Sequence, residues 1–224
     1  MAKKTSDLPV KESMVTAKLH KSRGTAVPDD NLYNIPLDPG ENRTWLVAIL
    51  THQKYTASCC KFVETAFSEQ GCTCYVPSRR ELHRYPNRTK RMVTKYILPR
   101  FIFVSGLSET QAYNFVRDWP NVDIFLPDRA KEKSAGHVAL AQVSQSELVR
   151  LQRAVDGVES ADDITFTTDH LTMRDNIEVV SGSLKGFSGS YYHDEGEDFL
   201  VFGLGKLGNI KVRVSIRNCA LKKD

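Results

Sequence analysis

The chain has 224 residues, 41% hydrophobic and 26% charged, with a formal net charge of +4, the balance of an ordinary soluble globular protein. No run approaches the roughly 18 consecutive apolar residues that a membrane helix needs, so no membrane partner is expected. The N-terminal MAKKTSDLPVKES lacks the apolar core of a secretory signal, and the expected compartment is the cytoplasm.

Residues 1–43 mix Lys, Ser, Thr, Asp, Pro and Gly without periodicity and read as a disordered tail. Order begins at Trp45, where TWLVAIL is short, apolar and β-branched, the pattern of a strand buried on both faces. Cys59, Phe62, Val63, Ala66 and Phe67 then form one helical stripe, closed by Gly71. Cys72 and Cys74 alternate with Thr73 and Tyr75 as on one face of a strand. With no CxxC pair in the chain, Cys59, Cys60, Cys72, Cys74 and Cys219 read as small buried hydrophobes.

The next two strand-like stretches are joined by Pro86-Asn87-Arg88 into a long hairpin. From Arg79 to Arg100 there are eight Lys/Arg and one acid, Glu81. Such a run suits phosphate contact through Arg79, Arg80, Arg84, Arg88, Lys90, Arg91 and Lys95, with His83 and Tyr85 available for stacking on a base. A solvated hairpin whose charges keep an exposed edge soluble is the other reading.

Phe101 to Val104 is apolar throughout and belongs in a sheet centre. Ser108 and Gln111 make a capping box for a second helix, with stripe Ala112, Phe115, Val116 and Trp119, ended by Pro120. NVDIFLP is a further strand. The order β-α-β-β-α-β predicts a ferredoxin-like α+β sandwich, two helices on one face of an antiparallel sheet and the other face open. Ser144 and Glu147 cap a third helix ending at Gly157. The expected domain therefore spans 44–157, followed by an acidic linker, 158–170. Residues 171–224 have the alternation and glycine punctuation of a small β-barrel without helices.

This order of elements resembles the bacterial NusG family of transcription elongation factors. Locally, Lys95 to Val104 is similar to the family's KFFPGYVLV segment, Val116 to Val122 to its VRxxPxV, and Val143 to Glu147 to its third-helix start. Asn176 to Gly189 looks like a KOW motif, carried by Gly182, Lys185, Gly186, Phe187 and Gly189. Arg100 stands where the family has Gly, Ile97-Leu98 replaces an aromatic pair, and the N-terminal tail is extra. These departures resemble a specialised paralogue serving surface-polysaccharide operons.

The resemblance implies an NGN domain that grips the clamp helices of the RNA polymerase largest subunit, with Trp45, Tyr96, Leu98, Pro99 and Phe101 at or near the contact. Filling the core is the other reading of Trp45, Phe101 and Phe103. It also implies that the hairpin meets nucleic acid of the elongation complex, and that the KOW barrel docks Rho or a small-subunit ribosomal protein. A ribosome-associated KOW protein that binds RNA is the alternative function.

No enzymatic activity, cofactor or metal is expected. The six His are scattered, and HExxH, GxSxG and GxxxxGK[ST] are missing. The GxGxxG at Gly203 to Gly208 follows a strand but opens no helix, and reads as a hairpin turn, as does His193-Asp194-Glu195.

Overall fold

Near-continuous apolar strands place residues of alternate parity in two different cores, and that division organises the N-terminal half of the molecule. The computed structural model describes residues 37–51, 65–98, 100–119, 121–128, 138–172 and 175–222, all within one compact unit. Strands β1 (Thr44–Leu50), β2 (Thr73–Tyr75), β5 (Phe101–Ser105), β6 (Val122–Phe125) and β7 (Gln142–Ser144) form an antiparallel sheet in the order β2-β5-β1-β6. The short β7 pairs with the first half of β1 (Trp45 opposite Val143) and β6 with the second half (Ala48 opposite Phe125).

On β1, Leu46, Ala48 and Leu50 face one core while Trp45 and Val47 face the other; on β5, Ile102 and Val104 take the first side and Phe103 the second. The first core is closed by helix α1, of which residues 65–69 are described, and α2 (Glu109–Asp118). Phe115 stacks between Phe67 and Trp119, with centroids 4.0 and 5.5 Å away. The expected capping boxes are both present, Ser108 with Gln111 on α2 and Ser144 with Glu147 on α3 (Gln145–Gly157).

The other face of the sheet is not open. Leu148, Leu151, Ala154 and Val155 of α3 cover it and share a single core with the C-terminal strands. The chain just before β1 joins this packing. Leu37 is buried and its N–H donates to Gln152 Oε1 (3.0 Å), so the expected tail of 1–43 includes residues that are built into the fold. Gln145, at the start of α3, accepts from Trp45 Nε1 (2.6 Å) and donates to Asp38 O (3.0 Å), which satisfies a buried amide.

The C-terminal strands form a second antiparallel sheet, ordered β13 (Cys219–Leu221), β9 (Asn176–Val179), β10 (Ser188–Asp194), β11 (Glu197–Leu204), β12 (Gly208–Arg213) and β8 (Ile164–Thr167). β8 lies inside the stretch expected as a linker. Its Ile164 and Phe166 pair with Val212 and Ile210, so the acidic residues around them decorate a sheet edge. The Phe199–Phe202 run is buried throughout, as expected of core. Gly203 to Gly208 is indeed the β11–β12 turn, with Leu207 N–H donating to Leu204 O.

Polar contacts reinforce the seam between α3 and this second sheet. Glu147 Oε2 accepts from Ser144 N–H (2.9 Å) and Oε1 from Gly205 N–H (2.8 Å), so one carboxylate serves both the helix cap and the β11–β12 turn. Lys206 pairs with Asp128 at 2.9 Å, an acid whose side chain is only 5% exposed. The half-buried guanidinium of Arg150 lies over the rings of Phe202 (4.6 Å) and Phe187 (5.3 Å) and donates to Ser188 O. At Gly157 a Cβ would come within 2.5 Å of Leu184 Cδ2, so the end of α3 packs closely on the loop that carries Leu184.

Candidate nucleic-acid interface

Among the described residues, strands β3 (Ser78–Arg84) and β4 (Lys90–Tyr96) pair only with each other, in a two-stranded sheet that leaves the body of the protein as an arm. Its turn is set by Asn87, whose Oδ1 accepts from Thr89 N–H (3.1 Å) and Thr89 Oγ1 (2.6 Å), and by Arg88, held at φ 63°. The hairpin and its turn lie where the sequence pattern predicts them. What that pattern could not show is that the arm has two electrostatically different halves.

In the half nearest the body the charges are spent internally. Arg79 Nη1 donates to Val155 O (2.9 Å) at the end of α3, a helix with no basic residue in its last turn. An external cation thus meets the negative end of the helix dipole. Glu81, the one acid of the basic run, takes Lys95 at 3.2 Å and the Ala161 N–H, with Arg79 Nε at 3.7 Å. Lys95 also pairs with Asp162 (3.1 Å); hydrogen bonds to Asp162 and then Glu81 hold its ammonium above the ordinary lysine range. Arg79 and Lys95, expected as phosphate ligands, are therefore structural residues.

The outer half is different. From Leu82 to Met92 every residue is exposed, and the segment contains Arg84, Arg88, Lys90 and Arg91 with no acid. Among the described residues none of these four has an ion-pair partner. Arg80, at the boundary, is partly buried. His83 meets Tyr85 edge-on at 4.7 Å. Four uncompensated cations on a projecting ribbon are what a phosphate backbone recognises. Sequence reasoning passed over Leu82 and Met92, which lie opposite each other in the register and are 55% and 50% exposed. Two apolar residues at matched positions in a charged hairpin were the available signal.

The residues expected to grip polymerase do not form one surface. Trp45 and Leu98 are 1% and 2% exposed and belong to the core beneath α3. Phe101 packs against that core and meets Phe166 of β8 with centroids 5.5 Å apart, whereas Tyr96 packs against the core on the other side of the sheet. Pro99 lies outside the described residues, as do Cys59, Cys60 and Pro120. The physical cause is α3, which fills the hollow that the sandwich order alone left open. Arg100 donates from Nε to Leu50 O (2.9 Å) and pairs with Asp123 (3.6 Å), tying β5 to β1 and β6.

In the C-terminal sheet Gly182 and Gly186 adopt φ 85° and 80° in an exposed loop that carries Lys185 outward. Phe187 is buried against Phe202, and at Gly189 a Cβ would lie 2.5 Å from Val201 O. The positive φ at Gly182 and Gly186 and the close approach at Gly189 are conditions that glycine meets. Cys72 and Cys74 are buried thiols in the α1–α2 core. Among the described residues there is no cluster of three His, Cys, Asp or Glu able to hold a metal, and no helix is long and apolar enough to cross a membrane. In comparisons with known proteins, no protein-family model and no curated sequence matches the chain.

Proposed function

We propose that this chain is a non-enzymatic transcription elongation factor of the NusG type, a paralogue that suppresses pausing or termination on a restricted set of operons in the cytoplasm. The observation that carries this reading is the outer half of the β3–β4 arm, four cations with no ion-pair partner among the described residues, on a ribbon inserted in the chain between β2 and β5 of a β2-β5-β1-β6 sheet. That strand order fits the ferredoxin-like arrangement expected of an NGN domain. The following antiparallel sheet, with its Gly182–Gly186 turn and buried Phe187, supports a KOW barrel.

In this reading the arm meets nucleic acid of the elongation complex while the flanking sheet contacts the clamp helices of the RNA polymerase largest subunit. Trp45 and Leu98 shape that region from below rather than touching the partner. The exposed face of the C-terminal sheet is left for Rho or a small-subunit ribosomal protein. The factor acts by differential affinity, binding the elongating state of polymerase more tightly than the paused one. Immobilised full-length chain should retain purified core RNA polymerase in stoichiometric amount. Failure to retain it refutes the proposal, and co-sedimentation with large ribosomal subunits instead would establish the ribosome-associated alternative.

A further inference from the structure

The two faces of the β3–β4 arm are set by strand alternation. Arg79, Glu81, His83 and their partners Lys95, Val93 and Arg91 occupy one face, and the inner members of that face are docked on the end of α3 and on Ala161–Asp162. Leu82 and Met92 therefore project from the opposite face, away from that docking. On this face Leu82 lies opposite Met92 and Arg84 opposite Lys90, all four exposed. An apolar pair beside a basic pair, on a ribbon whose other exposed charges are also positive, calls for a polyanion with apolar groups recessed between its charges.

We propose that the arm is a β-ribbon that enters the major groove of duplex DNA, with Leu82 and Met92 against the thymine methyls of A·T pairs and Arg84, Arg88, Lys90 and Arg91 on the flanking phosphates. This deepens the nucleic-acid part of the reading above and rests on it. The major groove, about 12 Å wide, admits a two-stranded ribbon, and the thymine C5-methyl is the apolar group displayed on its floor. The undocked outer part, Leu82–Arg84 paired with Lys90–Met92, extends about 10 Å at ~3.3 Å per residue before its turn, enough to reach the floor of a groove about 8.5 Å deep. Single-stranded nucleic acid presents no floor between two phosphate ridges. The outer arm uses its cations for position and its apolar pair for base preference, the usual division of labour in groove recognition.

The test is fluorescence anisotropy of the full chain with a short labelled A·T duplex, the same duplex with uracil replacing thymine, the matching single strand, and phosphatidylglycerol vesicles. Uracil removes the methyl and leaves phosphates and hydrogen-bonding edges unchanged. The wild-type chain should prefer the thymine duplex over the uracil duplex and over the single strand. The double variant L82S/M92S should lose about tenfold in affinity for the thymine duplex, become indifferent to uracil, and keep both its salt slope and its melting temperature. Arg84→Ala should instead lower the salt slope by about one, because one phosphate is no longer neutralised. Equal binding of thymine and uracil duplexes by the wild type, preference for the single strand, or retention on vesicles without duplex binding would overturn the proposal. Core polymerase capture by the same preparation reads separately, so loss of groove recognition with polymerase still retained removes this inference alone.

Discussion

The seam around α3 and the tip of the β3–β4 arm treat charge in opposite ways. At the seam each prominent charge has a countercharge or an oriented dipole: Glu147 uses both oxygens, Asp128 has Lys206, and Arg79 meets the end of α3. At the tip, Arg84, Arg88, Lys90 and Arg91 have none among the described residues. Lys95 and Arg91 share one face of one strand, yet one is neutralised twice and the other, among the described residues, not at all. A run of basic residues is therefore not one functional unit. Where acids converge on it the charge is architecture, and where they do not the charge stays exposed to solvent.

The sharpest way to break this contrast is to hollow out the seam. Leu151→Ala, at a fully buried position in the core shared by α3 and the second sheet, should cost about 2–5 kcal/mol. Thermal unfolding should then show one transition at lower temperature; a C-terminal sheet that melts by itself at an unchanged temperature would mean that the shared core does not couple the two. Lys206→Met removes a partner from the nearly buried Asp128 and should cost about 1–3 kcal/mol, read as a shifted denaturant midpoint. Arg79→Ala should cost about 1 kcal/mol through the unmet end of α3, whereas Arg91→Ala should stay within about 0.5 kcal/mol of wild type and lose nucleic-acid affinity. Equal stability losses at both arginines would erase the distinction between the arm's halves.

The smallest expected effect is one of pH. Hydrogen bonds from Tyr191 and then His193 hold the Asp198 carboxyl below its ordinary range. A lowered folded-state value means that the carboxylate stabilises the fold above the ordinary carboxylate range, and that this contribution disappears as pH falls through the depressed value. Asp198→Asn should be slightly less stable than wild type at neutral pH, and the two denaturation midpoints should converge in acid.

Elements with local signals were readable from the chain. The β1 run, both Ser capping boxes, the Pro86-Asn87-Arg88 turn and the burial of Phe187 each depend on residues a few positions apart. The features that escaped depend on distant partners. Nothing near Ile164 and Phe166 separates a strand from an acidic linker until Val212 and Ile210 stand opposite them. Leu37 looks like tail until Gln152 accepts its N–H. Trp45 and Leu98 read as contact residues because the packing of α3 against the sheet is not encoded in either segment alone. The same limit hid the division of the arm, since Glu81 and Asp162 neutralise Lys95 only through the fold.

Strand β8 begins at Ile164, directly after α3 ends at Gly157, with only residues 158–163 between. Six residues fully extended span about 20–22 Å. Even if every seam contact broke, the second sheet would remain on a leash of that length, with its near edge never farther from the end of α3, where the arm is rooted. The separation between the second sheet and the root of the arm is consequently set by chain geometry, and any pair of ligands offered to the two would meet a fixed spacing instead of a long tether.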